Sequence, residues 1–529
     1  MSTEGTSTLE PATGRDASDL AGFGYRQRLD RSLGGFSSFA AGFSYLSILT
    51  GLPQLFYLGY GAAGPAFFWT WPVVLAGQFL VALCFAELSA EYPLSGGVYQ
   101  WARRVGPGAI GWMAGWVYLA CAAITLASVA VALQGVLPLI SPWFQWVGDS
   151  GVPADAARNS VLLGCVLIGA STLINVVGVR LLARINNVGV FAEMAGAFAL
   201  IVLLTLAARR GPGVVLEAQG LGEGLSMGYL APFLAAALVP SFVMYGFDTA
   251  GSLAEETDDP RRRAPRAILG ALGAVGLAGA LLILAALRAA PDLADPNLGR
   301  LGGGMATIIR EVLGSGWGRL LLCDVALAIG VCTLTVHAAA VRLVFAMARD
   351  GGLPWSKALA SMPGRTRTPR LPALILGGFA GLILVVNANF PKVVEVLVSV
   401  SIAWANLAYL LVTAPLLARR IRRGRPEPRT DGLFQMGRWG LPVNALAVAW
   451  GVLMIVNVGW PRAEIYGSEW YRRFGALIAT IAMLGIGGIG YRLFGRRNSA
   501  VLDEHRAHDL GVIEDQSTGS AGEYGGRIG

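Results

Sequence analysis

239-VPSFVMYGFDTAG-251 lies inside an apolar segment running from about Tyr229 to Leu253. A segment of that length is long enough to cross a bilayer. Yet it carries Pro240, Gly246, Gly251, several hydroxyls and the ionisable Asp248. A helix breaker and a carboxylate near the middle of a span need a reason, because lipid offers no water to unpaired backbone groups.

The rest of the chain frames that question. Its 529 residues are 54% hydrophobic and only 14% charged, with mean hydropathy +0.58. Soluble domains carry about 25% charged residues. Repeated apolar runs of helical length indicate an all-α polytopic membrane protein with about twelve transmembrane helices. The runs do not alternate, which excludes a β-barrel. The predicted crossings lie near 36–58, 66–90, 108–137, 160–178, 187–207, 229–253, 267–288, 320–347, 371–388, 393–418, 440–460 and 474–494. Residues 301–318 are too short and broken to cross and are expected to form an external interfacial helix.

The net charge of +8 sits mostly in short loops, so it reports topology and not nucleic acid. An even number of crossings puts both termini on one side. With both termini cytoplasmic, roughly thirty of the Lys and Arg residues fall inside, which the positive-inside rule favours. Residues 1–31 and 496–529 read as polar, disordered cytoplasmic tails. No cleavable leader is evident near the amino terminus. The five cysteines are isolated within apolar runs and lack metal-ligand spacing. No metal or cofactor is expected. The absence of His-Glu-x-x-His, Cys-x-x-Cys and a Lys-Ser/Thr phosphate loop argues against an enzyme.

Two spans are irregular. The first contains 44-SYLSILTGLP-53 and the sixth contains the opening stretch. They head two consecutive groups of five helices, and interrupted helices at corresponding positions of two halves point to a transporter site. Pro240 removes an amide donor, and Gly246 and Gly251 lower the cost of leaving helical geometry. Amides at a half-helix N-terminus favour a carboxylate, and carbonyls at a half-helix C-terminus favour an ammonium. An α-amino acid carries both. Asp248 could bind a cationic ligand, carry a proton, or pair with backbone amides at the break. Phe242 and Tyr245 could cover the ligand or simply pack.

Four further motifs carry a resemblance. They are 86-AELSAEYPLSGGVYQWARRVGP-107, 186-NNVGVF-191, 245-YGFDTAGSLAEETDDPRRRAPRAI-268 and 342-RLVFAMARDGGLP-354. In this order they resemble the amino acid–polyamine–organocation superfamily, and within it the amino acid/choline permeases, over most of 32–420. The resemblance implies a LeuT-type fold: two inverted five-helix repeats, 32–208 and 229–420, then a cytoplasmic linker at 421–438 and two peripheral helices at 439–495. It implies a substrate site at Ser47, Ile48, Leu49, Thr50 and Gly51 in the first break and at Phe242, Val243, Met244, Tyr245 and Gly246 in the second. Third-helix positions Val117, Ala122 and Thr125 would line the pocket. Asp248 matches an acidic position linked to proton coupling. Glu193 stands where relatives often place Lys or His, so it could take up a proton, help hold a cation, or face a polar neighbour.

The function so implied is a secondary active transporter. It would move an amino acid or related small amine across the cytoplasmic membrane by alternating access, driven by a proton or sodium or by exchange. The alternatives are a non-transporting sensor, or a choline, γ-aminobutyrate or polyamine permease. Expected partners are the small solute, the coupling ion and the lipid bilayer, with no nucleic acid. The apolar positions Ile48, Leu49, Phe242 and Met244 favour a neutral or aromatic side chain. Glu87, Arg103 and Arg104 are expected to fix the cytoplasmic loop after the second helix. Arg342 and Asp350 are expected to pair or to meet the membrane interface, and His337 to be a hydrogen-bonded packing residue.

Overall fold

The computed structural model describes residues 20–25, 29, 31, 33–149, 152–223, 227–300, 303–362, 368–386, 388, 393–424, 432–461 and 469–496. The expected tails lie mostly outside these residues, as does part of the linker. Among the described residues all regular structure is helical, save one isolated parallel bridge between Leu33 and Thr257.

The first half comprises α1 (Gly35–Leu46), α2 (Ile48–Ala63), α3 (Thr70–Glu91), α4 (Gly97–Val105), α5 (Gly108–Ala130), α6 (Pro153–Val177) and α7 (Val179–Leu206). The second comprises α8 (Leu230–Ala236), α9 (Leu238–Val243), α10 (Thr249–Ser252), α11 (Pro260–Ala289), α12 (Met305–Arg349), α13 (Arg370–Val386) and α14 (Val393–Arg423). α15 (Gly440–Gly459) and α16 (Gly475–Gly490) follow. Among the described residues, ten helical stretches are long and apolar enough to cross a membrane. Two shorter apolar stretches, Leu230–Val243 and Arg370–Val386, stand where the sixth and ninth crossings are expected.

Local chemistry sets the boundaries. Proline opens α6 and α11, where its missing amide would be unpaired anyway. α12 contains a turn at Gly314 (φ 70°, ψ −168°), so the expected external helix is the segment from Met305 up to that turn, with Met305 to Ile309 buried.

The helices pack through small residues, as membrane helices do when no hydrophobic effect drives them together. A Cβ at Gly189 of α7 would meet Val331 at 2.3 Å, and one at Gly77 of α3 would meet Trp450 at 2.1 Å. α7 shows both faces plainly. Asn186, Gly189, Val190, Glu193, Gly196 and Ala197 are buried, whereas Val188, Phe191, Phe198 and Leu206 are at least 70% exposed. An exposed apolar stripe of that kind suits lipid. α12 lies at the centre against α1, α2, α5, α6 and α7; α14 packs on α5 and α9; α16 is outermost.

Candidate functional site

The first break is one residue wide. Ser47 takes φ 26°, ψ 100° between α1 and α2, an uncommon conformation for a residue with a side chain. Helical bonds persist on both sides, from Ser47 N–H to Phe43 O (2.8 Å) and from Gly51 N–H to Ser47 O (3.0 Å). The expected break at 47–51 is therefore narrower: Ile48, Leu49, Thr50 and Gly51 form the first turn of α2. That turn has orphan amides, and side chains claim them. Thr50 N–H donates to Ser47 Oγ (3.2 Å), and Leu49 N–H to Glu193 Oε1 (3.2 Å). The Ser47 hydroxyl also donates to Glu193 Oε1 (2.8 Å). The carboxylate of Glu193 thus sits at the N-terminus of α2. Its other oxygen, Oε2, is buried without a hydrogen-bond partner among the described residues.

The second break spans Met244 to Asp248, between α9 and α10. Gly246 has φ 94°, which a side chain would oppose. Its amide donates to the Tyr409 hydroxyl (2.7 Å), and that hydroxyl donates to Asp248 Oδ1 (2.6 Å). The Tyr118 hydroxyl donates to the same oxygen (2.6 Å). Asp248 is held by two phenols from α5 and α14, and Oδ2 is left buried and unpartnered among the described residues. The Thr125 hydroxyl donates to Cys121 O (2.8 Å) and lies 2.7 Å from the Tyr245 hydroxyl, which therefore donates to it.

The two breaks touch. A Cβ on Gly51 would come within 2.4 Å of Val243, and one on Gly246 within 1.9 Å of the Tyr45 ring. Tyr45 and Phe242 pack edge-on against Tyr245, with centroids 6.1 and 5.7 Å away. All the residues expected at the site are buried. On α5, Tyr118, Cys121 and Thr125 share one face and Ala122 flanks it, whereas Val117 is about 100° round the helix from Tyr118.

Sequence reading missed Tyr45, Tyr118, Tyr409 and a polar cluster about two turns along α7 from Glu193. In that cluster Asn186 Oδ1 accepts from the hydroxyls of Ser44 (2.6 Å) and Thr335 (2.8 Å). The stripe of Tyr118, Cys121 and Thr125 at helical spacing was the available signal. His337 lies within hydrogen-bond range of Ser171 Oγ (3.1 Å) and Ala373 O (3.0 Å), in line with a packing role.

The end that the charge pattern predicts to be cytoplasmic is closed by ion pairs. Arg342 does not pair with Asp350. It grips Glu256 with two nitrogens (3.1 and 3.2 Å), while Asp350 pairs with Arg103. Burial explains the difference, because two fully enclosed charges must meet directly, and Glu256 is the carboxylate beside Arg342. Arg349 makes two 2.9 Å bonds to Glu255, whose Oε1 also accepts from Ser95 N–H (3.0 Å). Glu87 takes Arg420 (2.9 Å) and the Met436 amide (2.9 Å), so it ties the last turns of α3 to the end of α14 and to the segment before α15. Leu33 N–H donates to Glu256 O (2.9 Å) and Asp258 N–H to Leu33 O (3.1 Å), which joins the start of α1 to the segment after α10.

Residues 20–25, expected as part of a free tail, dock here. The Tyr25 hydroxyl donates to Asp350 (2.9 Å), the Arg349 guanidinium lies 3.9 Å from the Tyr25 ring centroid, and Arg104 lies 5.0 Å from that of Phe23.

The profile described as amino acid permease matches residues 33–484. Amino-acid permease BAT1 of Arabidopsis thaliana is 27% identical, covering 90% of this chain and 94% of that protein. The GABA-specific permease of Saccharomyces cerevisiae is 23% identical, covering 84% and 78%. Among solved structures, MhsT in complex with L-phenylalanine superposes with TM-score 0.53 at 14% identity, covering 80% of this chain and 98% of that one.

Proposed function

The chain belongs to the amino acid permease family, and from that membership we propose a proton-coupled carrier of an amino acid, working by alternating access around its two breaks. It is a multi-pass membrane protein with a LeuT-type fold and a secondary transporter. The membrane is the cytoplasmic one, with both termini inside. Arg261, Arg262 and Arg263 at the start of α11 and Arg419, Arg420, Arg422 and Arg423 at the end of α14 support that orientation. The two repeats are 32–208 and 229–420, followed by the linker at 421–438 and peripheral helices at 439–495.

The observation that carries this reading is the pair of touching breaks, each with a buried carboxylate oxygen that lacks a partner among the described residues. The first turn of α2 is an anion site, and Glu193 fills it. A solute carboxylate competes for the same amides, and two anions cannot share them cheaply. Protonation of Glu193 removes its charge and releases the turn to the solute. Proton and amino acid then bind together, which is symport. The groups around Glu193 Oε1 are donors, Ser47 O–H and Leu49 N–H, whereas a hard metal cation requires several oxygen acceptors. That favours a proton over sodium. Asp248 Oδ2 and the C-terminal end of α9, where the last helical carbonyls point, suit the ammonium. Ile48, Leu49, Phe242 and Met244 suit a neutral or aromatic side chain, and Ser47, Thr50, Gly51, Val243, Tyr245 and Gly246 complete the site.

The experiment is uptake into proteoliposomes with each standard L-amino acid and γ-aminobutyrate as labelled probes. Acid outside should accelerate uptake of at least one probe, and replacing sodium by choline should not slow it. Absence of counterflow for every probe would point to a sensor. A sodium requirement with no response to pH would reject the proton.

A further inference from the structure

Asp324 is a carboxylate for which the site above has no use. It lies on α12 and packs against α7 at Gly196, where a Cβ would fall 1.7 Å from Asp324 Oδ2. The side chain therefore occupies the notch that Gly196 leaves. Gly196 follows Glu193 by three residues on α7, so Asp324 stands about one helical turn from Glu193. The displacement is toward the C-terminal end of α7, which is the outer end in the proposed orientation. The start of α12's crossing at Gly314 is ten residues away, about 15 Å along the helix.

A carboxylate at that depth is costly and is a functional candidate by default. A structural aspartate would pair with a basic side chain or cap amides. Asp324 does neither: its Oδ2 is buried without a partner among the described residues, and the residue as a whole is partly exposed. Glu193 is 1% exposed and also has an unpartnered oxygen. No cation pairs with either one among the described residues. The titratable groups set against Glu193 are Asp324 and the Cys332 thiol, both from α12. α1 and α2 contribute hydroxyls and amides. The charged residues of α6, α11 and α13 lie within the two turns at their ends.

We propose that Asp324 and Glu193 form a two-carboxylate proton relay between α12 and α7, through which Glu193 is loaded from the outer side. Asp324 takes up a proton and its carboxyl O–H bond breaks as a new one forms at Glu193 Oε2, directly or through one water. Asp324 returns to the carboxylate and is refilled from outside. The relay rests on the reading of Glu193 as the coupling group. It makes Asp324 a proton-loading residue that does not touch the solute.

The test uses full-length protein in liposomes containing a trapped pH dye, with an equimolar mixture of labelled standard amino acids. Two quantities are read: the ratio of acid-driven accumulation to counterflow, and the dependence of uptake on external pH. Asp324→Asn should lower the ratio about tenfold, within the usual span of coupling energies, and flatten the pH profile. Gly196→Ala should act in the same direction although both carboxylates remain, because it evicts Asp324 from its notch. If Glu193→Gln uncouples while Asp324→Asn keeps the parental ratio and profile, the relay is overturned and the role of Glu193 stands. Parental behaviour of Glu193→Gln removes both. Should Asp324→Asn fail to insert, Gly196→Ala decides alone, and an unchanged ratio overturns the relay.

Discussion

Single side chains hold the second break in shape. Tyr409 accepts from the Gly246 amide and donates to Asp248, whereas Tyr118 makes only the second kind of contact. Tyr409→Phe takes one phenol from Asp248 and also orphans the buried Gly246 amide, which costs about 1–3 kcal/mol. Tyr118→Phe leaves Asp248 one phenol. The melting temperature in detergent should therefore fall more for Tyr409→Phe, and equal losses would refute this division of labour. Gly246→Ala combines a left-handed backbone with a Cβ placed on the Tyr45 ring. The backbone term alone is about 1–2 kcal/mol. Uptake should drop below a tenth of the parent while the protein still inserts. Gly246 was legible as a break from its neighbours Pro240 and Asp248. Tyr118 and Tyr409 were not, because aromatic residues fill spans for many reasons and these two lie 130 and 161 residues from Asp248 in sequence.

At the level of elements, ten of the expected crossings were legible because apolar length alone defines them, and the sixth and ninth are shorter apolar helices. The first break was placed correctly but drawn too wide. Gly51 and Pro53 suggested a long unwound run, yet the helix resumes at Ile48, since Ser47 and Glu193 satisfy the freed amides. Partner choice among charges was not legible at all. Arg342 lies on α12 and Asp350 caps it, but each turns to another element: Glu256 for the first, Arg103 for the second. Arg342→Met should destabilise by about 3–5 kcal/mol, because it strands a buried carboxylate. The double variant with Glu256→Gln should recover much of that loss. A double variant no more stable than Arg342→Met would mean the pair acts through other contacts.

Over the whole molecule, the polar closure at one end includes the docked residues 20–25. Tyr25 and Tyr99 both donate to Asp350 (2.9 and 3.0 Å). Burial, then the Asp350 charge, pushes both phenols above their ordinary value of 10.0. An undocked tyrosine ionises first, so docking is at full strength below pH 10 and weakens as pH rises beyond it. Removing residues 1–25 should take one donor from Asp350 and strip the Tyr25 ring from Arg349, leaving their pairs with Arg103 and Glu255 in place. A cysteine introduced at Ser252 should then react faster with an impermeant maleimide added on the side proposed to be cytoplasmic, and an unchanged rate would show that the segment does not guard the closure.

The short backbone zipper at Leu33 and Thr257 constrains how the carrier can swing. Because the amides of Leu33 and Asp258 knit two segments far apart in sequence, the base of the first crossing and the base of the sixth form a single lever. Spin labels at Gly34 and Asp258 should keep one separation throughout the cycle. A label at Gly34 paired with one at Lys357 should report two distances, exchanging as solute and protons are supplied.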